Sequence, residues 1–127
     1  MDVPRTPGNW TIRRTASRET VAAYSAGPDK PLFNLTCNSS SRLIWVVRPG
    51  TAASPLPARI LTETRERAFT MESGKIGNSV AASFSVTDPL LDSMALTKGR
   101  FAVETEGMPT LYLPAWAEVS RVIEDCR

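Results

Sequence analysis

The groups able to do chemistry in this chain are 13 carboxylates, 15 basic side chains and two cysteines, with no histidine. The missing histidine excludes the most. Without imidazole there is no Ser-His-Asp or Cys-His nucleophile, no histidine general base, and almost none of the common zinc or non-haem iron ligand sets. No serine stands three residues before Lys30, Lys75 or Lys98, so a Ser-x-x-Lys dyad is absent too. Gly74-Lys75-Ile76-Gly77 lacks both the upstream glycine and the Ser/Thr of a phosphate-binding loop. Glu104 and Glu106 share one side of a strand, but paired acids for glycoside hydrolysis usually come from two segments flanking a cleft. They read first as the wet face of a hairpin. Glu124, Asp125 and Cys126 are consecutive, and helical neighbours point about 100° apart, too far for one ion. These residues point to no catalytic centre, no metal site and no cofactor.

The two cysteines, Cys37 and Cys126, lie far apart in the chain and form no Cys-x-x-Cys. Alternation puts Phe33, Leu35 and Cys37 on one face of a strand. Trp116, Val119, Ile123 and Cys126, spaced 3, 4 and 3, form one apolar helical stripe. Both thiols therefore point into the core. A disulfide between them is preferred over two free buried thiols, because a terminal helix frays unless tied down. Such a bond implies an oxidising compartment.

The net charge of +2 is too small to argue nucleic-acid binding. It is unevenly spread. Residues 1–48 hold seven basic and three acidic side chains, whereas residues 49–127 hold eight basic and ten acidic. The early excess comes mainly from Arg5, Arg13, Arg14 and Arg18. Trp10, Arg13, Arg14 and Arg18 are the candidate contact surface: a partly exposed tryptophan beside arginines is a plausible binding spot, although such a tryptophan is more often a strand anchor under the sheet and charge runs are more often solvated faces. Three asparagines, Asn9, Asn34 and Asn38, fit Asn-x-Ser/Thr, a pattern that also occurs by chance.

These side chains must be placed by short β-type runs. Residues 1–8, rich in proline, read as a flexible lead-in, and residues 9–127 as one β-rich domain. Runs at 10–14, 20–24, 32–37, 42–48, 58–64, 68–71, 80–86, 100–105 and 110–113 are separated by turn residues at the spacing of a sandwich or barrel. Residues 42–48 are apolar on both faces, which predicts a central strand covered on both sides. Trp45 and Trp116 fall on predicted core faces. The clearest local signal is the helix at 88–99, with Asp88 as N-cap, Pro89 at the first position and Gly99 closing it. A second helix follows Pro114. The expected fold is mainly β: an antiparallel sandwich, or partly open barrel, of about eight strands with two short helices late in the chain. No apolar run approaches the roughly 20 residues that span a bilayer.

The order from Asp88 onward is a capped helix with Leu90-Leu91-Asp92, a strand opened by Lys98-Gly99-Arg100 and a hairpin to Leu111-Tyr112-Leu113-Pro114. A helix ending in Glu124-Asp125-Cys126-Arg127 completes it. It resembles small uncharacterised exported alphaproteobacterial proteins that end in the same four residues and, more loosely, the invasion-associated locus B family. The resemblance implies a periplasmic β-sandwich without enzymatic activity, and carries over no functional residue. The expected function is thus a non-enzymatic periplasmic or secreted binding module, any export signal already removed, for a protein, glycan or small ligand of the cell envelope. Two rivals are a small carboxylate-based hydrolase and a single-strand nucleic-acid-binding barrel. Burial of Trp45 and Trp116 would argue against the last, which needs exposed aromatics in a basic groove.

Overall fold

The computed structural model of the chain describes residues 3–15 and 18–127; Met1 and Asp2 of the expected lead-in lie outside the described residues. In chain order the elements are β1 (Asn9–Arg14), β2 (Glu19–Ser25), β3 (Pro31–Asn38), β4 (Leu43–Pro49), β5 (Leu56–Leu61), β6 (Glu66–Ser73), β7 (Ser79–Ser85), α1 (Pro89–Leu96), β8 (Arg100–Thr105), β9 (Leu111–Pro114) and α2 (Ala117–Cys126). The nine strands form one antiparallel sheet in the order β1-β2-β3-β4-β7-β6-β5-β8-β9, curled into a half-barrel. The mainly β fold expected from the sequence is the one observed, as the curled, partly open form.

Period-2 alternation decides which side chains fill the hollow. The register aligns Trp10, Tyr24 and Phe33 across β1, β2 and β3, and Ala22, Leu35 and Val46 across β2, β3 and β4. From the other half come Ile60, Val103 and Leu111, aligned across β5, β8 and β9. Leu90, Leu91 and Met94 of α1 and Val119, Val122 and Ile123 of α2 complete this core. Trp10 is 4% exposed: it is the strand anchor under the sheet, not the partly exposed contact residue. Its indole N–H donates to the Pro114 carbonyl at 2.8 Å, and its ring meets Tyr24 edge-on at 5.2 Å. That bond links the first strand to the last.

The lead-in is bonded into the same seam. The Thr6 N–H donates to the Tyr112 carbonyl, the Tyr112 N–H donates to Thr6 Oγ1, and the Tyr24 hydroxyl donates to the carbonyls of Thr6 and Gly8. Gly8 has φ +150°, and a Cβ there would sit 2.6 Å from the Ser25 carbonyl oxygen, so only glycine lets the chain pass.

Two expected burials fail. β4 is central, its inward Ile44 and Val46 are fully buried, and Val47 on the outer face is 3% exposed. Leu43 and Trp45, on the outer face, are half-buried. Trp116 is not in the helical stripe. It is the extended N-cap of α2, 37% exposed, with the Arg5 guanidinium 5.1 Å from its ring centre. The buried residues of α2 are Val119, Val122, Ile123 and Cys126.

β6 and β7 pair only at Glu72–Ala81 and Ser73–Val80. Beyond that point side chains bridge the parting strands. Phe69 and Phe84 meet edge-on at 5.2 Å, and Arg67 donates to both carboxylate oxygens of Asp88 at 3.0 and 2.9 Å. Asp88 also caps α1 by accepting the Leu90 N–H at 2.9 Å. Burial pushes the Asp88 carboxyl up, but the Arg67 hydrogen bonds, the Leu90 N–H and the charges of Arg67 and Arg65 outweigh it and hold it below its usual value.

Cys37 and Cys126 lie with their sulfurs 2.19 Å apart, at disulfide distance, across a separation of 89 residues. Closing so long a loop stabilises by about 4–5 kcal/mol in the chain-entropy model. Cys37→Ala/Cys126→Ala should therefore lower the unfolding free energy by about that amount, read by urea titration. Two thiols that alkylate in freshly made native protein would refute the bond. Because the Asp88 carboxyl is depressed on folding, its contribution is complete above the unfolded value of about 3.9 and fades as pH falls through the lower folded value. Asp88→Asn keeps the cap but loses the ion pair. It should cost about 1–2 kcal/mol at neutral pH, with a correspondingly flatter stability profile under acid.

Candidate anion-binding surface

Arg14 ends β1 on the inner face, where the register aligns it with Thr20 and Thr20 with Cys37. The Cys37–Cys126 pair sets the last turn of α2 over this row. Asp125, one residue earlier, thereby reaches Arg14: its Oδ2 accepts from Arg14 Nη2 at 2.7 Å and from the Thr20 hydroxyl at 3.4 Å. The Arg14 side chain is nonetheless 71% exposed. An ion pair this open to water contributes little, and Arg14 can exchange Asp125 for another anion at small cost.

Arg13 alternates to the outer face of the same strand. Arg121, on the exposed side of α2, comes to lie beside it. Ile12, Arg13, Arg14 and Arg121 line a groove of about 250 Å³ between β1 and the helix. A second hollow of about 240 Å³ adjoins it through Arg14, with Arg18, Glu19, Thr20, Ser39 and Asp125 among its walls. Arg18 sits in the β1–β2 turn at φ 63°, a conformation uncommon for a residue with a Cβ. Its carbonyl accepts from the Ser39 hydroxyl at 3.1 Å, which anchors the turn to the end of β3. Four arginines thus face two carboxylates across the two hollows. Among the described residues, Arg13, Arg18 and Arg121 have no ion-pair partner.

Of the sequence-derived candidates, the structure brings Arg13, Arg14 and Arg18 together and removes Trp10, whose ring is buried under the sheet. Arg121 was missed. Its only signal was its place on α2 away from the apolar stripe, and nothing local says that this face meets β1. Neither hollow is lined by an aromatic side chain, so bases would find no stacking platform there.

Neither a protein-family model, nor a curated protein, nor a solved structure matches this chain. The chemistry must be read from the side chains themselves.

The carboxylates of the hydrolase reading are differently placed. Glu104 and Glu106 line a hollow of about 550 Å³ with Arg59, Phe69 and Thr70. Arg59 holds the Glu104 Oε1 from Nε at 2.8 Å and reaches Glu66 with Nη1. The Glu104 hydrogen bond and charge, with help from Glu66, raise the Arg59 pKa. This is a surface ion cluster centred on a permanent cation, and Glu106 comes from the same strand end as Glu104. Among the described residues that line the hollow, no acid comes from a facing segment. Among the described residues no cluster of three His, Cys, Asp or Glu side chains could hold a metal ion.

Arg48 is the opposite of the surface arginines. It points inward from β4, is 4% exposed, and spans the barrel end to donate from Nη2 to the Pro109 carbonyl at 2.6 Å. Its Nη1 is buried without a hydrogen-bond partner, and burial lowers the pKa of the group. A buried cation with one neutral acceptor costs more in desolvation than that bond returns. Arg48→Met, of similar length, should therefore unfold at the same or a higher denaturant concentration. A loss above about 2 kcal/mol would instead mean that Nη1 has a partner.

Proposed function

We propose that the protein is a non-enzymatic binding module of the cell envelope, periplasmic or secreted, which holds an anionic ligand on the arginine surface formed by β1, the β1–β2 turn and α2. The observation that carries the reading is the placing of Arg13, Arg18 and Arg121, which have no ion-pair partner among the described residues, around the weakly paired Arg14. Guanidinium groups present planar donor forks that match carboxylate and phosphate oxygens two at a time. A cluster that folding does not neutralise keeps those donors available to a ligand. Export is supported by the Cys37–Cys126 pair, because structural disulfides persist mainly in oxidising compartments. The similarity of the C-terminal segment to small exported alphaproteobacterial proteins agrees with it. Among the described residues no helix is long and apolar enough to cross a membrane.

The test uses a fluorescein-labelled polyglutamate probe and anisotropy titration. Binding should weaken steeply between low and physiological ionic strength, because exposed charges are screened beyond about 8–10 Å. Arg13→Gln/Arg121→Gln should weaken it about tenfold, as expected for two exposed charge contacts. Binding that ignores salt, or survives the double substitution unchanged, overturns the assignment of this surface.

A further inference from the structure

The two outermost strands of the sheet have unequal edges. Thr6 covers the free edge of β9 by exchanging hydrogen bonds with Tyr112. Among the described residues, β1 pairs with β2 alone, and beyond Trp10 no strand continues the ladder on its other side. The Thr15 N–H donates to the Glu19 carbonyl at 2.9 Å, which sets the alternation of this antiparallel pair. Thr11 and Arg13 then turn their backbone groups toward β2, and Ile12 and Arg14 turn theirs toward the open edge. That edge runs beside the groove between Arg13, Arg14 and Arg121.

From this juxtaposition we propose that the anionic ligand is an extended acidic segment of a partner protein, added to the sheet as a tenth strand along β1. The inference rests on the anion-binding reading above and names the substrate class of the same surface. Backbone groups of Ile12 and Arg14 supply the ladder, and Arg13, Arg14 and Arg121 take carboxylates spaced along the incoming strand. Charge complementarity selects this occupant. Arginines on an edge strand discourage pairing with another basic strand. A second copy of this chain would bring a second set of unpaired arginines to the same seam, whereas an acidic strand relieves the excess. A nucleic acid would satisfy the charges but has no main chain to complete the ladder and meets no aromatic side chain here.

The experiment uses an acetylated, amidated peptide of repeating Glu-Glu-Val-Val, which puts carboxylates on both faces of an added strand, and a counterpart of the same sequence N-methylated at every residue. Affinity is read by calorimetry and backbone protection by hydrogen exchange on the full chain. The expected result is binding of the first peptide with at least tenfold slower exchange at Ile12 and Arg14, and at least tenfold weaker binding of the methylated one. Arg13→Glu/Arg121→Glu should lose the acidic peptide and gain a lysine–valine peptide, which also shows that the variant folds. Equal binding of both peptides, or a single-stranded oligonucleotide that binds more tightly without slowing those amides, overturns strand addition and leaves the anion-binding surface standing. Protection of Ile12 and Arg14 that grows with protein concentration alone overturns it in favour of self-pairing. Failure of every anionic probe overturns both readings.

Discussion

A helix of ten residues has little stability of its own in water, because nucleation costs more than so few hydrogen bonds return. α2 must therefore be held by what it touches. Val119, Val122 and Ile123 bury its apolar stripe, and Cys126 fastens its last turn to Cys37 on the inner face of β3. Arg127 then binds the Val86 carbonyl at 2.8 Å and Asp92 of α1 at 2.8 Å, so the two helices are secured at one point. The same attachment sets the surface. Cys37 aligns with Thr20 and Thr20 with Arg14, so a helix anchored at Cys37 necessarily carries Asp125 to Arg14, and Arg121 to the side of β1.

The small net charge conceals four different uses of arginine. Arg59 and Arg67 are neutralised on the spot, one between Glu66 and Glu104 and the other by both oxygens of Asp88. Arg5 lies over the Trp116 ring. Arg48 is withdrawn into the hollow and spans it. Arg13, Arg18 and Arg121 are left exposed and without carboxylate partners. A field able to attract a ligand depends on this last group and not on the total, because charges already paired at contact distance cancel beyond a few ångströms.

Much of the architecture is legible in the sequence because it is local. The alternation Phe33-Leu35-Cys37 fixes the inward face of β3, and Asp88-Pro89 marks the start of α1 through a cap that the Leu90 N–H completes. Closure of the sheet is not local. Trp10 looks exposed beside Arg13 and Arg14 because nothing near it says that Pro114, 104 residues on, will supply a carbonyl. Trp116 fits a helical stripe by spacing, yet α2 begins one residue later, and the extended backbone at Trp116 turns its ring outward. Residues 42–48 carry apolar side chains on both faces, but on the outer face only Val47 is buried, while Leu43 and Trp45 stay half-buried. The arginine surface falls between these cases. Arg13, Arg14 and Arg18 are visible as a run. Arg121 is brought to them by the docking of α2, through its apolar stripe and the Cys37–Cys126 pair.

The unequal edges of the sheet follow from the path of the chain. The lead-in must cross from outside the sheet into β1, and Gly8 lets it pass so close to Ser25 and Tyr24 that Thr6 lands on β9. One edge is thereby closed by the residues that start the other. Among the described residues no equivalent segment covers the outer edge of β1. Its open side keeps backbone donors and acceptors in water, which costs nothing in the free protein, and arginine side chains keep that side soluble. A buried edge would need a partner to fold. An edge guarded by like charges can remain unpaired, and it distinguishes among partners by sign before any backbone contact forms.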